Sequence, residues 1–319
     1  MRFSIKPAKA LISVLILALP AASRAVTCAT QAQMNPADRD AVAVVQQDFA
    51  TIQSSLLPAI ASQWDSIRGA IEYNAPILKG GQAQLRSLYS LDATSLTASS
   101  DAQFFCSSSN GNLTVTISLH DLPPGRYAVV LADAQGSAMA GQIGFILGLD
   151  ANTWKLGGVF IRAGSFDSHD GVWYWEHARE LAQSGQSWAA FYSYEVARYL
   201  LLPVDFLSSP NLEKLGQEEA MLRGSPADAF PYTVPSGDRT WKIDSVRLDP
   251  ALREPDLGVT YESTGVTDPA AQRTEATAVM SALLKAQPAL RQAFHGMWAY
   301  ASANGKVTPV LELPMAQIQ

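Results

Sequence analysis

Residues 171–203 have the sequence GVWYWEHARELAQSGQSWAAFYSYEVARYLLLP, which predicts two helices joined by a tight turn. The helices are expected at 171–184 and 187–202, because Ser184-Gly185 interrupts the pattern and Pro203 stops the second helix. One face of each helix carries small residues beside a tyrosine, so the two backbones can approach closely. These seam positions are Tyr174, Ala178, Leu181, Ala190, Tyr194 and Ala197. The stretch is typical of a packed helical hairpin.

The same stretch also allows a binding surface, because eight aromatic residues lie between Trp173 and Tyr199 and they cannot all face the seam. Some of them could line a groove against a sheet and hold a sugar or a peptide by stacking. The candidate ligand-binding residues are Trp173, Trp175, Trp188 and Tyr192. The alternative is that these rings form the core between the hairpin and the sheet.

A catalytic or metal-binding role for the hairpin is disfavoured. Glu176, His177 and Glu180 can share one helix face, but an HExxH motif is absent and the other histidines lie in distant segments. Such residues usually form a solvated helix face. The chain also has no glycine-rich phosphate loop. We therefore assign no catalytic residue, no metal ligand and no cofactor.

The segment before the hairpin predicts helices followed by a curved antiparallel sheet. Helices are expected from Asn35 to Leu56, from Ala59 to Tyr73 and, more briefly, from Gln82 to Tyr89. Four apolar runs then predict an antiparallel meander, with LPPG as the first turn and several glycines that favour curvature. The runs are residues 113–119, 126–133, 141–149 and 153–163.

The segment after the hairpin predicts a third helix at Pro210–Arg223 and then a proline-rich linker at 224–238. Residues 239–319 predict a small ββαββ module with one helix on an antiparallel sheet. The predicted class is therefore α+β. Its expected units are 26–163 (helices and curved meander) and 164–223 (helical hairpin region), followed by the linker and the C-terminal module.

The first 25 residues predict a secretory signal peptide. Basic residues precede an apolar run from Ala10 to Ala22, and small residues before Val26 suit cleavage after Ala25. An uncleaved anchor and lipidation at Cys28 are the alternatives. No later stretch is long and apolar enough to span a membrane. The expected location is the periplasm or the exterior.

The charge of the chain disfavours nucleic acid as a partner. The formal net charge is −6, and removal of the four basic residues in 1–25, a segment without acidic residues, makes it −10. An acidic chain without a basic block is poorly suited to neutralising phosphates.

The two cysteines, Cys28 and Cys106, are expected to form a disulfide in an oxidising compartment. Two unlinked buried thiols are the alternative. The residues are too far apart in the sequence for a zinc motif.

Several stretches resemble a group of exported bacterial proteins to which no activity is attached. They are FFC, LPPGRYAVVLADA, WKLGGVFIR, HDGVWYWEHAR, ARYLLLPVDFLSSPNLEKL and FHGMWAYA. The first unit is similar to the nuclear-transport-factor-like cone fold, and residues 174–203 resemble a single tetratricopeptide-type hairpin. The cone fold hosts both enzymes and binding modules.

The sequence favours a non-enzymatic exported protein that binds a partner protein or a small ligand. Two alternatives remain open: a cone-fold enzyme acting on a small apolar substrate, and a purely structural periplasmic component.

Overall fold

Five α-helices and a one-turn α-helix lie in the part of the chain that the structure describes. The computed structural model describes residues 26–30, 53–78, 81–107, 113–137, 139–249 and 254–319. The helices are α1 (Trp64–Leu78), α2 (Gly171–Gln183), α3 (Ser187–Leu201), α4 (Pro210–Ala220), α5 (Pro269–Ala286) and the single turn α6 (Leu290–Ala293). The signal peptide predicted at 1–25 and residues 35–52 of the first predicted helix lie outside the described residues.

Fifteen strands are found in the described residues. They are β1 (Thr27–Thr30), β2 (Gln82–Asp92), β3 (Ser100–Ser107), β4 (Thr114–Leu122), β5 (Arg126–Gln135), β6 (Gly141–Asp150), β7 (Thr153–Ala163), β8 (Ser165–Phe166), β9 (His169–Asp170), β10 (Leu207–Ser208), β11 (Tyr232–Ser236), β12 (Arg239–Asp249), β13 (Asp256–Glu262), β14 (Gly296–Ala303) and β15 (Lys306–Pro314). The fold is of the α+β class, as the sequence predicts.

Two sheets form a sandwich that is built mainly from the first half of the chain. Sheet A has the order β1-β2-β5-β6-β7 and sheet B the order β10-β4-β3. Alternation along β5 gives each face of sheet A its own core: Val130 packs towards α1, and Val129 and Leu131 pack towards sheet B. Because both faces of sheet A are covered, the sequence of β5 is an almost continuous apolar run.

The predicted four-stranded meander is wrong at its first strand. β5, β6 and β7 pair consecutively, but β4 pairs with β3 and β10 in sheet B. Pro123-Pro124-Gly125 is therefore a crossing between sheets and not a hairpin turn. Two hydrogen bonds from residues outside this segment fix its backbone. The Tyr127 hydroxyl donates to the Pro123 carbonyl (2.8 Å), and the Ala93 amide donates to the Gly125 carbonyl (2.8 Å).

The short helix predicted at Gln82–Tyr89 is also wrong, since these residues belong to β2. A β-bulge between Leu85 and Ser87 inserts Arg86 as an extra residue opposite β5. The bulge brings Leu85 and Leu88, three positions apart, onto the same face of the strand. A spacing of three imitates helical periodicity, which explains the error.

A disulfide closes one side of the sandwich, as the sequence predicts. It joins Cys28 on β1, at the edge of sheet A, to Cys106 on β3, at the edge of sheet B, with a Cα–Cα distance of 5.3 Å. The two residues are separated by 78 positions in the sequence. The bridge therefore ties a short N-terminal strand to a distant part of the fold.

The hairpin helices form where the sequence predicts them. The Asp170 side chain caps α2 by accepting from the Trp173 amide at 2.9 Å, and Ser209 caps α4 in front of Pro210. α2 and α3 pack against each other, and α4 packs on α3. All six predicted seam residues are buried: Tyr174, Ala178, Leu181, Ala190, Tyr194 and Ala197.

The C-terminal sheet has five strands in the order β11-β12-β13-β14-β15. β11 lies inside the predicted linker at 224–238, and its Val234 is fully buried. β13 and β14 are parallel, contrary to the antiparallel expectation, because α5 carries the chain back across the sheet between them. The hairpin, α5 and this sheet share one hydrophobic core.

No helix in the described part of the chain is long and apolar enough to cross a membrane.

Candidate functional site

The four aromatic residues predicted to line one groove lie in different environments. Trp188 and Tyr192 are only 6% and 1% exposed, whereas Trp173 is 38% exposed and Trp175 is partly buried. The structure does not bring these four side chains onto one accessible surface.

Trp188 and Tyr192 lie between the hairpin and the C-terminal sheet. The Trp188 ring packs against Tyr232, with centroids 4.8 Å apart, and it borders a shallow cleft of about 260 Å³ beside residues 287–290. The Tyr192 hydroxyl donates to the Val246 carbonyl at 3.1 Å, and burial raises the pKa of this phenol. Both residues contribute mainly to the core.

Trp173 is the accessible member of the set. Its ring lies between two imidazoles, that of His169 at a centroid distance of 3.8 Å and that of His177 at 4.8 Å. The Nδ1 atom of His177 is 3.6 Å from Glu180 Oε2. This three-ring stack begins at the N-terminus of α2 and faces solvent in part.

Trp175 connects α2 to α4. Its Nε1 donates to Glu218 at 2.8 Å, and the Arg179 guanidinium lies 4.5 Å above its ring. Arg179 also donates to both oxygens of Glu218, at 2.7 and 2.9 Å. These hydrogen bonds from Arg179 hold the pKa of Glu218 below its usual range. Trp175, Arg179 and Glu218 therefore connect α2 to α4.

A second candidate site lies at a row of polar residues that crosses sheet A. Strand pairing aligns Gln84 with Asp133, Asp133 with Gln142, and Gln142 with Arg162. Paired residues share a face of the sheet. Asp133 lies two positions after the core residue Leu131 on β5, so both side chains are on the face of sheet A that packs towards sheet B. The polar row therefore lies where the apolar interior of the sandwich ends.

Two members of the row hold the C-terminus of α3. The Gln142 amide nitrogen donates to the carbonyls of Leu200 (2.7 Å) and Ala163 (3.1 Å), and Arg162 donates to the carbonyl of Leu202 (2.8 Å). The last carbonyls of a helix have no partner within the helix, so the contacts to Leu200 and Leu202 satisfy two of them. Gln142 is 3% exposed, and its polar groups are engaged within the protein.

Arg86 reaches this row from the bulge in β2. Its Nη1 is 3.0 Å from Asp133 Oδ1, and its Nη2 donates to Gln142 Oε1 at 3.4 Å. The side chains of Arg86 and Asp133 remain 38% and 37% exposed. Bulges redirect side chains in this way. Here the redirected guanidinium is placed beside a carboxylate at the protein surface.

A cleft of about 400 Å³ opens beside the Arg86–Asp133 pair, at the junction of sheet A and α3. Ligand sites commonly have volumes of about 300–1,000 Å³. The remaining lining residues are small, apart from Gln142 and one leucine. They are Ala134, Gly136, Ser137, Ala140, Gly141, Gly164 and Leu200. We define these residues, with Arg86, Asp133 and Gln142, as the polar cleft.

The polar cleft offers donors and acceptors side by side. A guanidinium has five N–H donors and a carboxylate accepts at two oxygens. Among the described residues, Asp133 Oδ2 has no hydrogen-bond partner, and Arg86 uses two of its nitrogens. The remaining groups are available to a small polar molecule.

The polar cleft was not predicted from the sequence, although the sequence contains part of its signal. Asp133 and Gln142 are polar residues at facing ends of two apolar strands joined by a short loop, so a hairpin places them opposite each other. Arg86 could not be found, because its position depends on a bulge in a segment predicted to be helical.

His295 forms a separate polar cluster. Its Nδ1 lies 2.8 Å from Glu254 Oε2 and 3.1 Å from Asp256 Oδ1. Burial raises the pKa of Asp256, against the opposing effect of the His295 hydrogen bond. Within the described ranges, no group of three or more His, Cys, Asp or Glu residues is arranged to hold a metal ion.

Comparisons with known protein families, curated proteins and solved structures give no match.

Proposed function

We propose that the protein is an exported binding protein whose polar cleft holds a small polar ligand. The observation that carries the proposal is the Arg86–Asp133 pair, held at 3.0 Å and still more than one-third exposed beside a cleft of about 400 Å³. A pair with a purely structural role would not require a cleft of this size next to it.

The surroundings of the pair support a pre-formed site. Gln142 is fixed by two hydrogen bonds from its amide nitrogen, and its amide oxygen accepts a third from Arg86 and so orients the guanidinium. Pre-organised polar groups lose little conformational freedom when a ligand binds. The described space between α1 and sheet A is filled by apolar side chains, which favours a binding function over a cone-fold enzyme.

Export is proposed on two grounds. Residues 1–25 have the pattern of a signal peptide. The Cys28–Cys106 disulfide suits an oxidising compartment such as the periplasm or the exterior. Mass spectrometry of the protein from its host should find an N-terminus at Val26, and an intact Met1 in the exported fraction would contradict the proposal.

The binding function is tested by isothermal titration with a panel of small polar molecules. Ala140→Phe should abolish binding by filling the cleft, since Ala140 is exposed and lines it without contributing to the core. Arg68→Gln on α1 is a matched control, because Arg68 also forms exposed ion pairs but lies away from the cleft. A ligand whose affinity is unchanged by Ala140→Phe does not bind in the polar cleft.

A further inference from the structure

We infer that the ligand of the polar cleft is a neutral, polyhydroxylated molecule of about monosaccharide size. The inference rests on the proposed function and names the class of ligand for the same site. Three properties of the cleft support it: the balance of its charges, the arrangement of its donors and acceptors, and the size of its lining residues.

The charges of the cleft cancel. Arg86 and Asp133 are the only charged lining residues found in the described part of the chain, and their side chains are 3.0 Å apart. An anion drawn to Arg86 would lie close to the carboxylate of Asp133, and a cation drawn to Asp133 would lie close to the guanidinium. A neutral ligand avoids both repulsions and leaves the pair intact.

The hydrogen-bonding groups match adjacent hydroxyls. Each hydroxyl is both a donor and an acceptor. One hydroxyl of a vicinal diol can accept from the Arg86 guanidinium while its neighbour donates to Asp133 Oδ2. Because Gln142 holds the guanidinium at 3.4 Å, the donor and the acceptor are presented together in a fixed arrangement.

The walls disfavour other neutral ligands. The described lining residues include no aromatic ring, and most of them are glycine, alanine or serine. Such a surface offers little stacking or apolar contact to a flat aromatic molecule or an acyl chain. The affinity must therefore come mainly from hydrogen bonds, which a polyol supplies in high density.

The test is isothermal titration of the disulfide-bonded protein with D-glucose, D-galactose, myo-inositol and sorbitol. Glycine and L-alanine are the zwitterionic comparison probes, and acetate and inorganic phosphate are the anionic ones. We expect at least one neutral polyol to bind, with a Kd that changes less than about twofold between roughly 50 and 500 mM NaCl, because no net charge is neutralised.

Two variants test whether such binding depends on the Arg86–Asp133 pair and on the polar cleft. Asp133→Asn should raise the Kd of the polyol by about tenfold or more, because the charged acceptor is lost. Ala140→Phe should remove binding without altering the pair. Thermal melts of both variants, with Arg68→Gln as the control, verify that they are folded.

The outcomes separate the two proposals. If glycine, L-alanine, acetate or phosphate binds in a manner abolished by Ala140→Phe while no polyol binds, the ligand class is wrong and the binding function stands. If no probe binds, or if binding survives Ala140→Phe, the inference and the assignment of the cleft both fail.

Discussion

Gly144 on β6 and Val204 lie so close together that a Cβ atom on Gly144 would stand 2.3 Å from Cγ1 of Val204. Val204 is fully buried and follows α3 on the way to β10. Because Gly144 has no side chain, the segment between α3 and β10 can cross sheet A at this point and add β10 to sheet B as its third strand.

The first prediction is that Gly144→Ala destabilises the protein by about 1–3 kcal/mol, because the methyl group overpacks the crossing. Urea unfolding monitored by circular dichroism measures the change. Gly69→Ala on α1 is the matched control: its Cβ would meet nothing within 4 Å, and alanine in a helix should stabilise by about 0.5–1 kcal/mol. Equal effects of the two substitutions would contradict the proposed crowding.

The second prediction concerns the disulfide. Replacing Cys28 and Cys106 together by serine should lower the free energy of unfolding by about 4 kcal/mol, because the bridge closes a loop with a sequence separation of 78 residues. A reductant should destabilise the wild-type protein and leave the variant unchanged. Complete alkylation of both thiols in the unreduced protein would show that the bridge is absent.

The elements that the sequence predicted well are those governed by local patterns. α2 and α3 lie within two residues of their predicted ends, because helical periodicity and the break at Ser184-Gly185 act over a few positions. The same holds for β5, β6 and β7, which form consecutive hairpins.

The elements that were missed depend on contacts distant in sequence. The strand identity of β2 is decided by pairing with β1 and β5, and its bulge imitates helical spacing. β4 alternates clearly, but alternation does not reveal which sheet a strand joins. The polar cleft combines both difficulties, since it needs the register of four strands and the bulged Arg86.

The third prediction is a pH effect at Glu218. Because Arg179 lowers the pKa of Glu218 in the folded state, its stabilising effect is present above the unfolded pKa of about 4.3 and is lost as the pH falls through the folded pKa. Glu218→Gln should therefore cost at most about 1 kcal/mol near neutral pH, a modest value because Arg179 is 37% exposed and water screens the pair.

Urea unfolding of the wild type and Glu218→Gln at several pH values measures this effect. The difference between the two proteins should shrink steadily below about pH 4. Glu213→Gln on the same helix controls for the loss of a negative charge, since Glu213 contacts Ser208 and is not a partner of Arg179. A difference that grows on acidification would have the wrong sign for the proposed pairing.

The fourth prediction separates the two roles of the aromatic residues. Trp188→Ala should destabilise by about 3–5 kcal/mol, because the ring is buried against Phe230 and Tyr232 and leaves a cavity when it is removed. Trp173→Ala should cost clearly less, because Trp173 is 38% exposed and packs mainly on the rings of His169, Tyr174 and His177. Thermal and urea melts of the two variants give the comparison. If Trp188→Ala were tolerated as well as Trp173→Ala, the ring would belong to an accessible surface, and the groove predicted from the sequence would have to be reconsidered at that position.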